Sequence, residues 1–192
     1  RSKRPLVAFG RGVKLSNTNN KLKQMLEKYN IPSISARMAN DVLPFNNKHY
    51  FGMGGIRGRR SAVKVMKECD LLICIGTSNC YTFFGEEDEC LPNDAKIVVV
   101  NTDKKIFDRK DIRIDLALNC DANSFFDSLA SIDLVCNFEK WLEICGNYKE
   151  QVPMVTKDMK KNPINSYYLA DTLSKLTDSR HIFTNDAGSS NY

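Results

Sequence analysis

Apolar residues in this chain fall into two alternating rhythms. Leu6–Phe9, Leu71–Ile75 and Ile97–Val100 are short unbroken apolar runs. Strands without polar alternation are covered on both faces, as in a parallel sheet inside an α/β fold. Ile31–Ala36 reads as a further strand. Ile112–Leu118, which alternates with Arg113 and Asp115, reads as one nearer a sheet edge. Between these runs the spacing changes to three and four. Leu22, Met25, Leu26 and Tyr29 share one helical face, as do Ala62, Val63, Met66 and Cys69; Phe125, Phe126 and Leu129 follow Asp121, a candidate cap. Parallel neighbours need a crossover, so the pattern predicts an α/β fold: a Rossmann-like parallel sheet of about five to six strands with helices on both faces.

Polar punctuation separates the elements. Gly10-Arg11-Gly12 ends the first strand, and Ser16–Asn20 offers helix caps. A loop rich in Asn, Pro and Gly runs from Met38 to Gly58. Gly52, Gly54, Gly55 and Gly58 there give backbone that can take positive φ or be approached closely. Gly76 closes the central strand, and the polar stretch Thr77–Asn93 follows, with Glu86, Glu87, Asp88 and Glu89 together. Open α/β sheets hold ligands at such carboxyl-end loops.

From Phe138 the character shifts. Phe138, Trp141, Leu142, Cys145 and Tyr148 form a helical stripe, which Gly146 is expected to end early. Gln151–Asn162 has linker composition. Asn165 or Ser166 then caps a helix with Leu169, Leu173 and Leu176 inward, followed by a strand, His181–Thr184. The expected organisation is a first domain over 1–136, a connecting helix and linker over 137–162, and the start of a second domain over 163–192. The chain opens on Arg1 and stops at Tyr192 just after a strand and turn, so it reads as part of a longer protein.

Composition narrows function mainly by exclusion. The net charge of +5 sits largely in three clusters (Arg57, Arg59, Arg60; Lys104, Lys105, Arg109, Lys110; Lys157, Lys160, Lys161), which read as solvated surface. Without interleaved aromatics or a recognised module, they do not indicate nucleic-acid binding. Seven cysteines, an odd number without CxxC spacing, fit free thiols in a reduced, cytoplasmic protein. No apolar run is long enough to cross a bilayer.

Candidate chemistry is sparse. Gly10-x-Gly12 invites a dinucleotide reading, but the third fingerprint position is Leu15 and no acidic residue closes the second strand, so a tight turn is favoured. His49 and His181 lack partners at ligand spacing, and Gly-x-Ser-x-Gly does not occur. Residue by residue, the chain reads as a scaffold without a complete active site.

The order of its pieces, however, resembles thiamine diphosphate enzymes of the acetolactate synthase type. RPLVAFGRGV, IPSISARMANDVLPFNNKHYFGMGGIRG, CDLLICIGT, AKIVVVNTDKKIF and NCDANSFFDSL carry the likeness, followed by NPINSYYLADTLSKLTDSRHIFTNDAG. The resemblance implies a central Rossmann-like (DHS-like) domain plus the opening of a diphosphate-binding domain. The catalytic glutamate and the metal-leading Gly-Asp-Gly motif of that family lie outside these segments. It also implies a carboligase or 2-oxo-acid decarboxylase using thiamine diphosphate and Mg2+, acting on a small carbonyl substrate as a homodimer or homotetramer, and a chain inactive by itself.

In acetolactate synthases the central domain binds FAD, and Gly10, Gly12, Gly52 and Gly55 fall at that family's backbone-to-cofactor turns. Several matching positions depart from the pattern: Gly52-Met53-Gly54-Gly55, Arg59-Arg60, the segment from Ser78 to Thr82, and Asn101-Thr102-Asp103. Losing charged groups removes charge-assisted bonds to a dinucleotide, which favours a structural domain over the alternative, an FAD- or ADP-binding module. Asn185–Asn191 follows the last expected strand, and there the resemblance places Gly188, Ser189, Ser190 and Asn191 on the diphosphate side of the thiamine site.

Overall fold

The computed structural model describes residues 2–78, 81–84, 90, 94–110, 112–178 and 180–184. They group into two compact units, Arg1–Gln151 and Val152–Tyr192.

The first unit is built on six parallel strands in the order β3-β2-β1-β4-β5-β6. These are β1 (Pro5–Phe9), β2 (Ser33–Ser35), β3 (Tyr50–Met53), β4 (Leu71–Ile75), β5 (Lys96–Asn101) and β6 (Leu116–Asn119). The helices are α1 (Arg11–Leu15), α2 (Asn19–Tyr29), α3 (Arg60–Glu68), α4 (Tyr81–Phe84), α5 (Ala122–Ala130) and α6 (Glu139–Gln151). All of β1 is buried, and its alternate residues enter two different cores. Leu6 and Ala8 join Phe51, Met66, Leu72, Val99 and Trp141 on the α3–α6 side. Val7 and Phe9 join Leu22, Leu26, Ile75, Val100 and Phe126 on the α2–α5 side. Each buried Val, Leu, Ile, Met or Phe side chain contributes about 1.5–3 kcal/mol, so the two-faced core of the central strands is the main source of stability.

Three features differ from what the pattern predicts. The loop from Met38 to Gly58 contains β3, an edge strand whose Tyr-Phe-Gly-Met sequence is too short and glycine-broken to show alternation. The edge on the other side, β6, is narrower than Ile112–Leu118 and is mostly exposed. Helix α6 runs through Gly146 to Gln151, because Trp141, Leu142 and Cys145 are buried and hold it on the sheet. Its indole Nε1 donates to Pro5 O at 3.0 Å, and Tyr148 OH donates to a Glu68 carboxylate oxygen of α3 at 2.6 Å.

The second unit contains α7 (Ser166–Leu176), where Asn165 caps by accepting from Tyr167 N at 2.9 Å. Within it Leu169, Leu173 and Leu176 are exposed rather than inward. His181–Thr184, expected as a strand, carries no strand pairing among the described residues. A strand needs a neighbouring ladder to satisfy its backbone, and the described part of this unit has none to offer. The expected diphosphate-side residues Gly188, Ser189, Ser190 and Asn191 lie outside the described residues.

Candidate functional site

Strand order reverses direction between β1 and β4, which places the topological switch point at the carboxyl ends of these two strands. Gly10, Gly12 and Gly76 meet there. Gly10 N donates to Ile75 O at 2.9 Å, Gly12 N donates to Gly76 O at 3.0 Å, and Gly76 N donates to Val100 O at 2.9 Å. A side chain on Gly12 would put its Cβ 2.7 Å from the Cα of Gly76. One on Gly10 would run into the Gly76 carbonyl. The turn after β1 is therefore packed backbone to backbone against the end of β4. Its Gly10 and Gly12 amides donate within the protein, so at these two positions there is no free donor pair of the kind that cradles a phosphate.

Gly52 and Gly55 sit elsewhere, at the end of β3 and in the turn beyond it, with β2 between them and β1. Both take positive φ, +100° and +94°. Gly52 is closed over by Arg59, whose Cδ would lie 3.2 Å from a Cβ there. The sheet thus separates the four expected glycines into two pairs rather than converging them. Gly76, which completes the first pair, is marked in sequence only as the residue closing an apolar run.

Polar residues at the same carboxyl edge tie loops to one another. The buried Ser35 hydroxyl donates to Asn40 Oδ1 at 2.6 Å and so must accept from Tyr50 OH at 2.7 Å, because it has one proton to give. Asn101 Nδ2 donates to Thr77 O at 2.7 Å while its Oδ1 accepts from Asp103 N at 3.0 Å. An aspartate at 101 could not make the first of these bonds. The amide at this position thus binds the β4 and β5 loops together, which sequence reasoning saw only as the loss of a charge.

Beside β3, Arg59 and Lys149 each stand 4.4 Å from the centroid of the Phe45 ring. Lys149 Nζ also donates to Phe45 O and Tyr50 O, both at 2.9 Å. Burial, and then the neighbouring Arg59 charge, lower the Lys149 pKa. The cluster covers the sheet edge with cations, as edge strands require.

The two histidines fall in different units, and among the described residues the ring of each meets a single polar neighbour. His49 is buried, and its Nε2 lies 3.4 Å from Asn30 Oδ1. His181 is exposed, with Nδ1 3.2 Å from Asp178 Oδ1. Among the described residues no group of three or more His, Cys, Asp or Glu could hold a metal ion, and no helix is long and apolar enough to cross a membrane. The six described cysteines are free thiols; Cys69, Cys74, Cys90 and Cys145 are buried. Burial pushes the Cys69 thiol up to about 12 and raises Cys74 and Cys145 further, which leaves these sulfurs protonated and inert.

Residues 1–129 match the family described as "Thiamine pyrophosphate enzyme, central domain". Over 187 residues the chain is 26% identical to the acetolactate synthase isozyme 1 large subunit of Escherichia coli (strain K12), covering 97% of this chain and 32% of that protein. It is 24% identical to the acetolactate synthase large subunit of Lactococcus lactis over 193 residues, again 97% of this chain and 32% of the relative. It is 30% identical to a probable acetolactate synthase large subunit of Methanocaldococcus jannaschii over 163 residues, 83% of this chain and 27% of the relative. The chain thus spans about a third of the length of these relatives.

Proposed function

The chain belongs to the thiamine pyrophosphate enzyme central-domain family, and from that premise we propose that it is the scaffold region of a multidomain enzyme resembling acetolactate synthase. In this reading 1–136 is the central domain, α6 of the connecting segment 137–162 packs on it and completes its core, and 163–192 opens the diphosphate-binding domain. The whole enzyme would join or decarboxylate 2-oxo acids or related carbonyl compounds, with thiamine diphosphate supplying the carbanion chemistry and Mg2+ holding its diphosphate. It would work in the cytoplasm as a homodimer or homotetramer. The residues of this chain would carry neither the chemical step nor the metal. Gly188, Ser189, Ser190 and Asn191 would form one wall of the diphosphate site through hydroxyl and amide donors.

The observation that carries the scaffold role is the closed switch point. Gly10 and Gly12 give their amides to Ile75 and Gly76 instead of presenting them to a ligand. This supports a structural domain over an FAD- or ADP-binding module. Calorimetric titration of the chain with thiamine diphosphate and Mg2+, and separately with ADP and FAD, tests both parts. Flat traces are expected throughout. Micromolar binding of ADP or FAD would replace the scaffold with the nucleotide module, and micromolar thiamine diphosphate binding would overturn the chain's expected inactivity.

A further inference from the structure

The outer face of α3 forms an open groove of about 450 Å³, lined by Ile56, Gly58, Arg60, Val63, Lys64, Lys67 and Glu68. Arg60, Lys64 and Lys67 stand at i, i+4 and i+7, so their charges fall along one side of the helix. Ile56, which is exposed, and the partly buried Val63 supply an apolar floor between them. Lys64 Nζ sits 4.0 Å from the centroid of the Tyr148 ring. Glu68, the one carboxylate of the lining, accepts from Tyr148 OH at 2.6 Å. Among the described residues Arg60, Lys64 and Lys67 form no ion pair.

We propose that this groove docks an acidic protein segment that carries apolar anchors. Three cations on one helix face against the single carboxylate of Glu68 leave the lining net positive, which sets the sign of the occupant's charge. The apolar floor sets its second requirement, because a purely ionic ligand would leave Ile56 and Val63 uncovered. The open shape favours a peptide over a small molecule, since small-molecule sites enclose most of their ligand. An anionic membrane is the weaker fit, because a lipid surface is met by protruding apolar side chains and not by a concave floor. A helix with leucines on one face and glutamates flanking them matches the groove in the manner of helix-in-groove recognition. The proposal is independent of the scaffold reading, because α3 lies away from the closed switch point.

The test uses the full chain and a fluorescein-labelled helical peptide of that leucine–glutamate pattern, read by fluorescence anisotropy. Saturable binding is expected, weakened about tenfold or more in K64E/K67E, a change of about 1.4 kcal/mol. Replacing the leucines of the probe by serine should weaken it comparably, and raising salt should weaken it steadily. Because K64E also gives up the Tyr148 ring contact, R60E/K67E is measured beside it, with far-ultraviolet circular dichroism and melting confirming that both variants fold. No saturable binding at about 1 mM peptide, binding by both variants as tight as by wild type, or binding of the serine probe as tight as of the leucine probe each overturns the proposal. So does tighter binding to phosphatidylserine vesicles than to the peptide.

Discussion

Gly12 and Gly76 touch backbone to backbone, such that a Cβ on Gly12 would lie 2.7 Å from the Gly76 Cα. The neighbouring atoms are main chain and cannot rotate away. Gly12→Ala should therefore destabilise the first unit by about 1–3 kcal/mol, the range for overpacking a filled interior. Gly76→Ala should cost more, because its φ of +61° adds left-handed strain to the same contact. Gly146 is the internal control. It lies within α6, and nothing stands within 4 Å of a Cβ placed there. Gly146→Ala should stabilise by about 0.5–1 kcal/mol through helix propensity alone. Urea unfolding of the three variants measures all of these, and a Gly12→Ala protein as stable as wild type would remove the packing argument.

Helix α6 should be needed for the first unit to fold. The single Trp of the chain, Trp141, is 3% exposed and donates its Nε1 proton to Pro5 O at the start of the sheet. Phe138 N also donates to Tyr29 O at 3.0 Å, fixing the entry to α6 against the end of α2. A protein ending at Gln151 should melt cooperatively, whereas one ending at Cys136 should not, since Leu6, Val65, Met66 and Leu72 would lose part of their cover. Trp141→Phe should cost about 1–3 kcal/mol, because it strands a buried carbonyl. Cooperative melting of the 1–136 protein would place the domain boundary before α6 instead.

The parallel α/β class could be read from the sequence because Leu6–Phe9, Leu71–Ile75 and Ile97–Val100 are two-faced strands, whose burial requires apolar residues at every position. Edge strands are under no such demand. Tyr50–Met53 and Leu116–Asn119 carry weak patterns for that reason, the first missed and the second placed too broadly. The five-residue α1 was also hidden, with Val13 its only buried residue. The glycines were visible as turn residues, but their role was not. Whether Gly12 frees an amide for a ligand or only makes room for Gly76 depends on a contact 64 residues away in sequence. The pairing of Phe45 with both Arg59 and Lys149 was hidden for the same reason.

Asp70 should act as the clasp of the amino terminus. Its carboxylate accepts from Ser2 Oγ at 2.5 Å, Lys3 N at 2.8 Å and Arg4 N at 3.0 Å, holding the entry to β1 beside the entry to β4. Partial burial works to raise its pKa, but these bonds and the Arg4 charge outweigh it and hold the carboxyl below its ordinary value. A depressed folded pKa means stability that is present above the unfolded value, about 3.9, and is lost as pH falls through the folded one. Asp70→Ala should cost about 1–3 kcal/mol at neutral pH and less in strong acid, where the wild-type carboxyl is itself protonated. Chemical denaturation at pH 7 and pH 3 measures the difference, and a cost that does not shrink in acid would show that the bonds do not depend on the charge.

His49 should make the fold sensitive to mild acid. It is 1% exposed, in the loop entering β3, and its carbonyl accepts from Ser33 N at 2.6 Å and Ser33 Oγ at 2.9 Å. The ring reaches Asn30 Oδ1, and Asn30 Nδ2 donates to Asn137 Oδ1 at 3.2 Å. That same Asn137 oxygen accepts from Glu139 N at 2.9 Å and caps the start of α6. The ring therefore sits at one end of a side-chain chain joining β3, α2 and α6. Burial lowers its pKa, the Lys48 charge lowers it further, and Glu27 opposes both without reversing the direction. A folded pKa below the unfolded value of about 6.5 means the fold prefers the neutral ring. Its contribution is full above that value and is lost as pH falls below it, because the unfolded chain takes up the proton first. Denaturant midpoints should thus fall from about pH 6.5 toward pH 5, before most carboxylates titrate. His49→Gln should be less stable at pH 7.5, through imperfect packing, yet should lose less on acidification. The discriminating quantity is the slope of unfolding free energy against pH in that window. Equal slopes in wild type and His49→Gln would assign the acid sensitivity to other groups.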